Sequence, residues 1–284
     1  MGEALSLLLP VWGRDRPEFL TAAFRSTVTE QTRRPDHVVL VRDGPVPAAL
    51  AECIAELAAT SPIPVDVLEL DRNVGLGPAL DVGLAACRHD VVARMDADDI
   101  SLPHRFAVQM PLVEAGADLV GSGLLEFGEG ADDVVGRRIP PIDPDVIRAR
   151  SRFADPFNHP TVVYRRELVQ AVGGYGDFAL MEDYLLWAKM IAAGARVANV
   201  AEPLVLYRVG AGAYRRRGGL AQLRTEWGLQ RRLRRLGFTT RTQWARNVAV
   251  RGGYRLVPEG VRRLAYRRFV APYGERGRAS LPSR

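Results

Sequence analysis

With 284 residues, 47% of them hydrophobic and 25% charged, the chain has the composition of a soluble globular protein, either one large domain with an appendage or two modest domains. Two cysteines, Cys53 and Cys87, exclude a disulfide framework, and no apolar run of about 18 residues is present to span a bilayer. The net charge of +6 is unevenly spread: from Arg208 onward 20 arginines face three acids, Glu226, Glu259 and Glu275, leaving the preceding part acidic.

In chain order, apolar runs at residues 5–11, 37–41, 65–70, 91–93 and 119–120 read as short buried strands. Between them, residues 17–31, 47–59, 77–87 and 103–115 carry helical spacing, several with proline in the first turn. The first run is too short for a secretory leader, and both cysteines fall in the helix-like stretches, which predicts buried thiols in a reducing, cytoplasmic setting. Alternating strands and helices predict an α/β fold with a mostly parallel sheet flanked by helices. Ligands of such sheets bind beyond the carboxyl ends of the strands. The informative loops are therefore 12–16, 42–45, 71–78 and 96–101, each polar and most of them glycine-bearing. Ordinary turn chemistry explains each loop singly; all of them on one sheet edge predicts a site.

The last of these loops, Asp96-Ala97-Asp98-Asp99, places three carboxylates within four residues. They repel one another unless a cation shares the site, and oxygen ligands suit Mg²⁺ or Mn²⁺ completed by substrate phosphates. The alternative is a polar turn in which Asp98 or Asp99 caps the helix beginning near Pro103. From about Gly121 the pattern loosens into Gly, Pro and acidic turns up to Pro144. Then come Asn158-His159-Pro160-Thr161, Gly173-Gly174-Tyr175 and Glu182-Asp183-Tyr184. Glu182 and Asp183 open an amphipathic helix; such acids are common for dipole reasons, but one beside an apolar wall of Tyr184 and Trp187 is also a candidate general base.

Together with Leu9-Pro10-Val11-Trp12, Arg42-Asp43-Gly44-Pro45 and Asn73-Val74-Gly75-Leu76-Gly77, these motifs resemble the family 2 glycosyltransferases of GT-A (Rossmann-like) fold. The bacterial exopolysaccharide and O-antigen branch, of amylovoran type, is the nearest likeness, over about residues 4–236. The resemblance implies that backbone at Pro10 and Val11 and the side chain of Asp43 hold the donor's base, with Arg72 and Asn73 along base and ribose. Arg94 and Asp96 belong to the same donor site; Asp96 binds ribose or assists the metal, and Asp98 ligates Mn²⁺ or Mg²⁺. Asp183 is then the general base of an inverting displacement, positioned by Glu182. Relatives commonly pair two aspartates where this chain has Arg42-Asp43, and many carry a late histidine where it has Tyr207-Arg208. Arg208 or the cluster beginning at Arg215 is the candidate for diphosphate contact in its place. His159, with no ligand-spaced neighbour, is expected to be structural or to face the acceptor.

The resemblance further implies a UDP-sugar donor, a glycan or lipid-linked acceptor and a role in cell-surface polysaccharide synthesis. Missing spans and the missing Gln-x-x-Arg-Trp motif predict a non-processive enzyme. The catalytic part is expected at 1–212, its nucleotide half ending near 120, with an arginine-rich helical region at 213–284. There, Leu220, Leu223, Trp227, Leu233 and Leu236 can share a helical stripe ringed by arginines, which suits an anionic membrane surface or a helical cap on the domain. No nucleic-acid-binding module accompanies the charge. A nucleotidyltransferase on a similar sheet and a catalytically silent nucleotide-sugar-binding scaffold are the competing readings.

Overall fold

The computed structural model describes residues 2–128, 130–209, 220–257 and 260–261. Four strands form its parallel half: β1 (Leu5–Trp12), β2 (His37–Asp43), β3 (Val65–Glu69) and β4 (Val91–Arg94). They lie in the order β3-β2-β1-β4, all pairing in parallel. β1 is buried except at Trp12, as its unbroken apolar run requires with helices covering both faces. Helices α1 (Pro17–Val28), α2 (Ala48–Thr60) and α3 (Leu76–Ala86) make the crossovers. On α1, Leu20, Phe24 and Val28 recur at four-residue spacing and enter the core beside Leu5, Leu7 and Leu9. Leu8, Val39 and Val41 face the opposite layer with Leu80 and Leu84 of α3.

The sheet continues into the second half as a mixed structure. β5 (Ile100–Ser101), α4 (Arg105–Glu114), β6 (Leu119–Phe127), β7 (Val134–Arg138) and α5 (Pro144–Ser151) come next. A 3₁₀ turn (His159–Thr161), β8 (Val163–Arg165), α6 (Arg166–Ala171), α7 (Glu182–Ala192) and β9 (Val197–Arg208) follow. β8 joins β4 to β6 by antiparallel pairing, β6 and β9 pair in parallel, and β5 closes the edge against β9. The expectation of a mostly parallel sheet thus holds, with antiparallel joints at β8, β7 and β5. β6 is longer than the apolar run at 119–120 predicts, and β9 is a strand that the apolar runs do not predict. β6 runs through Gly121-Ser122-Gly123, and its register with β9 shifts there, opposite Pro203. Glycine and proline disguise both strands, and the shift is where the proline is absorbed.

Beyond β9, α8 (Leu220–Arg235), α9 (Arg241–Asn247), a π-helical turn (Val248–Gly252) and α10 (Gly253–Leu256) form the basic end. Leu229 and Leu233 of α8 pack on Met181, Tyr184, Leu185 and Ala188 around α7. The helical stripe is therefore rotated: Leu229 joins it inside, whereas Trp227 and Leu236 are 45% and 46% exposed. Arg215 lies outside the described residues, as do 258–259 and 262–284. Cys87 is buried as expected, and Cys53 is only half-buried, with its Sγ 3.3 Å from Thr21 Oγ1.

Candidate active site

The carboxyl ends of β1, β2 and β4 share one sheet edge, and the expected donor residues lie there. β1 runs four residues past its last pairing with β4, Leu8 with Arg94, so the backbone of Pro10 and Val11 overhangs that edge on the β4 side. Asp43, buried at the end of β2, accepts from Asn73 Nδ2 (2.9 Å), Val74 N (2.7 Å) and Gly75 N (3.1 Å). The carboxylate thereby ties the loop before α3 to the end of β2. Gly44 makes this approach possible: at φ +85° a side chain there is strained, and its Cβ would stand 2.4 Å from Asn73 N. Arg72 is exposed beside this tie. Arg42 does not point into the cleft chemistry; it pairs with Glu69 across the ladder at 2.8 Å.

In the acidic loop each carboxylate has a different situation. Arg94, fully buried, holds both oxygens of Asp96 in a two-pronged ion pair. Asp99 is also buried; its Oδ1 accepts the backbone N–H of Arg208 at 2.8 Å and its Oδ2 has no partner. That leaves Asp98, whose carboxylate no described group hydrogen-bonds, with a pKa raised to about 6 by burial and by Asp96. Neither Asp98 nor Asp99 caps α4, whose N-cap is His104. Arg208 lies across the loop, its Nε donating to Asp98 C=O at 3.0 Å and its guanidinium stacked on Phe19 (3.8 Å) and Phe127 (4.4 Å). No group of three or more His, Cys, Asp or Glu among the described residues would hold a metal alone. One unclaimed carboxylate beside a buried, unsatisfied one suits a hard cation whose remaining ligands are substrate oxygens.

The second cluster sits across Arg94. Asn158 Nδ2 donates to Ser122 C=O (2.8 Å), and Thr161 Oγ1 accepts from Ser122 N (2.9 Å), hooking the 3₁₀ turn to β6. His159 is left nearly buried amid the rings of Tyr175 and Trp187. Its Nδ1 faces Asp183 Oδ2 at 3.8 Å. Burial raises the Asp183 pKa, against the Tyr184 N–H bond and the charge of Arg94; burial and Asp183 push Glu182 up to about 7. Glu182 Oε2 is buried without a partner. Leu180, just before α7, holds φ +75°, a left-handed backbone that favours glycine, and such strain concentrates at working sites. Of the expected apolar wall, only Trp187 stands by His159. The Tyr184 hydroxyl turns away, to Ser151 C=O at 2.8 Å, and its ring packs against α8.

Three residues absent from the sequence reading belong here. Asp15 accepts from Trp12 N (2.9 Å), and burial, with Asp98 and Asp96, raises it to about 7. Arg105 lies buried beneath the acidic loop, donating to Arg94 C=O (2.8 Å) and Ser101 Oγ (3.0 Å). Asp155 accepts from Phe157 N (2.9 Å) and is pushed well up by burial and by Asp183. Only Asp15 carried a signal, as a carboxylate in a strand-end loop. The other two depend on tertiary neighbours.

A family model described as Glycosyl transferase family 2 matches residues 6–173. Over 93% of its length the chain is 38% identical to an uncharacterized glycosyltransferase of Haemophilus influenzae, covering 98% of that protein. It is 35% identical over 92% of its length to the amylovoran biosynthesis glycosyltransferase AmsE of Erwinia amylovora (97% covered). With an Escherichia coli UDP-Gal:alpha-D-GlcNAc-diphosphoundecaprenol beta-1,3-galactosyltransferase the identity is 31%, covering 93% of this chain and 96% of the relative. Its fold matches S. aureus TarS in complex with UDP-GlcNAc at TM-score 0.64 and 14% identity, over 94% of this chain and 73% of that one. The mannosyltransferase PcManGT from Pyrobaculum calidifontis, in complex with GDP-Man and Mn²⁺, matches at 0.61 and 16%, over 95% and 76%.

Proposed function

The chain belongs to glycosyl transferase family 2, and from that premise we propose that it is a metal-dependent, inverting, non-processive enzyme transferring a sugar from a nucleotide diphosphate, UDP by preference, to a lipid-linked or glycan acceptor of a cell-surface polysaccharide. The observation that carries this reading is the placement of Arg94. One buried guanidinium clamps Asp96 of the acidic loop and lies within electrostatic reach of Glu182 and Asp183. The acidic loop and the candidate base therefore lie within reach of one guanidinium, which supports a shared site. A UDP donor and lipid-linked acceptor are supported by the Escherichia coli relative, and the cation by PcManGT. We assign catalysis to 1–212, with its acceptor half beginning near 121, and a peripheral membrane role to 213–284.

In this mechanism the base and ribose lie between the overhang at Pro10 and Val11 and the Asp43, Arg72 and Asn73 loop. Asp98, with Asp96 beside it, would hold Mn²⁺ or Mg²⁺, and a bound cation would supply positive charge against the charge developing on the diphosphate. Arg208 adds a fixed positive charge beside the same loop. Asp183, aided by Glu182, takes the proton of the acceptor hydroxyl. The acceptor oxygen bonds to the anomeric carbon, the bond to the diphosphate breaks on the opposite face, and an α-linked donor gives a β-linked product.

Calorimetry with UDP, GDP, dTDP and CDP, each with Mn²⁺ and with EDTA, tests the donor half. UDP binding is expected to require Mn²⁺, to weaken as pH falls through about 6 because Asp98 must be ionised to ligate, and to disappear in Asp98→Ala. Equal binding in EDTA would overturn the metal assignment.

The membrane role rests on the outer face of α8. Trp227 and Arg231 are exposed four residues apart, with Arg235 one turn on, and the Trp244 ring meets Trp227 edge to face at 5.5 Å. Among the described residues no helix is long and apolar enough to cross a membrane. Such a basic aromatic face binds lipid in the interface plane. Sedimentation with phosphatidylglycerol/phosphatidylcholine vesicles is expected to fall about tenfold in Trp227→Glu/Arg231→Glu, since each basic residue near an anionic surface contributes about 1 kcal/mol. Unchanged sedimentation would remove this face from the account.

A further inference from the structure

Behind Asp183 a line of polar groups runs into the core. Tyr175 Oη donates to Tyr164 Oη at 3.4 Å, and His159 Nε2 lies 3.2 Å from Tyr175 Oη. Both tyrosines are buried, their rings packed with Trp187. A hydroxyl has one proton to give. Tyr175 spends it on Tyr164, so the contact with His159 closes only if Nε2 carries the imidazole proton and donates it. Burial and the charge of Arg94 keep that imidazole from taking a second proton. Nδ1 is therefore a bare lone pair, and it faces Asp183 Oδ2 at 3.8 Å. Two acceptors turned toward each other stand apart until a proton lies between them, and catalytic hydrogen bonds of this kind tighten when substrate arrives.

We propose that His159, held in its Nε2–H form by Tyr175 and Tyr164, is a positioning residue whose Nδ1 accepts a hydrogen bond from the proton that Asp183 takes from the acceptor hydroxyl. This rests on the reading of Asp183 as the base. The proton stays on Asp183, the acceptor's electron pair forms the new glycosidic bond, and His159 remains neutral throughout. Without Nδ1, protonated Asp183 would be a buried donor lacking a partner, which is costly. The line thus strengthens Asp183 as a base by stabilising its protonated form. The other charged and titratable groups facing Asp183 are Glu182 beside it, Arg94 from β4, Asp96 from the acidic loop, Asp155 from the loop before the 3₁₀ turn, and the Tyr175 phenol.

The test is ¹⁵N NMR of histidine-labelled protein with ¹³C detection of aspartate carboxyls, in wild type, Tyr175→Phe and Tyr164→Phe. Both substitutions keep ring shape. In wild type, His159 is expected to be neutral with its proton on Nε2. Tyr175→Phe removes the acceptor for Nε2–H, and Tyr164→Phe frees the Tyr175 hydroxyl to donate to Nε2. Each should move the tautomer toward Nδ1–H. That form supports ionised Asp183, so its carboxyl titration should fall by about one pH unit in Tyr175→Phe and by less in Tyr164→Phe. An Nδ1–H or imidazolium His159 in wild type, or a tautomer unmoved by Tyr175→Phe, overturns the proposal. Transfer that survives in Asp183→Asn would instead remove the base assignment, leaving the tautomer result standing as a fact about His159.

Discussion

Asn in place of Asp183 is expected to lower the transfer rate by about 10³-fold while nucleotide binding is nearly unchanged. The substitution preserves shape, and an amide oxygen can still accept the Tyr184 N–H that Asp183 Oδ1 accepts at 2.7 Å. What it removes is the carboxylate that faces His159 and is assigned to take the proton from the acceptor. Glu182 is next to it and already pushed up to about 7, so Glu182→Gln should cost less, through position and charge rather than loss of the base. Release of nucleotide diphosphate in the presence of acceptor measures the rate, and calorimetry the binding. A loss of only a few fold in well-folded Asp183→Asn would shift the base role to another carboxylate.

Arg251→Met is expected to cost about 3 kcal/mol of stability, read as a lower urea midpoint at neutral pH. Glu226 of α8 is 1% exposed, and its carboxylate is held by Arg251 Nε (2.6 Å), Arg255 Nη2 (2.9 Å) and Gln230 Nε2 (3.0 Å). Burial alone would raise its pKa, but these partners outweigh burial and hold it low. A carboxylate lowered in the folded state contributes fully above its ordinary value and loses that contribution only as acid protonates it. The neutral-pH measurement therefore sees the whole effect. Glu226→Leu together with Arg251→Met should recover part of the loss, because the buried carboxylate that loses Arg251 is removed with it. A loss below about 1 kcal/mol in the single variant would mean that solvent reaches this pair as it does a surface one. Arg251 also donates to Phe153 C=O at 3.0 Å, two residues before Asp155. The arginine-rich end is thus partly a structural cap on α7 and the loop before the 3₁₀ turn, and arginine count alone does not measure its affinity for lipid.

The parallel half was legible because buried parallel strands are apolar without interruption, and the helices between them show their period. β9 and all of β6 beyond residue 120 were not, because Gly121, Gly123 and Pro203 are residues that local preference reads as turn, and long-range pairing overrides it. The acidic loop was conspicuous from spacing, yet spacing could not say which carboxylate is free. That depends on Arg94 capturing Asp96 and the Arg208 backbone capturing Asp99. His159 has no ligand-spaced neighbour in sequence, and its apposition to Asp183 comes from Asn158 and Thr161 hooking onto Ser122, beyond the part of β6 that the apolar run at 119–120 reveals.

Asp81 on α3 accepts from Tyr175 N and Gly176 N, each at 2.8 Å, and a Cβ on Gly77 would stand 2.3 Å from Gly176 C=O. One side chain and a backbone loop more than ninety positions away in sequence are thus fitted as one rivet between α3 and the segment leading to Asp183. For recombination among relatives this sets a rule that differs from the obvious cut near residue 120. An exchanged acceptor half brings its own version of the 174–176 loop, and it will seat only on a donor half that keeps a small residue at 77 and a carboxylate at 81. An exchangeable unit would therefore be the part beyond residue 120 together with one face of α3, although the chain writes them far apart.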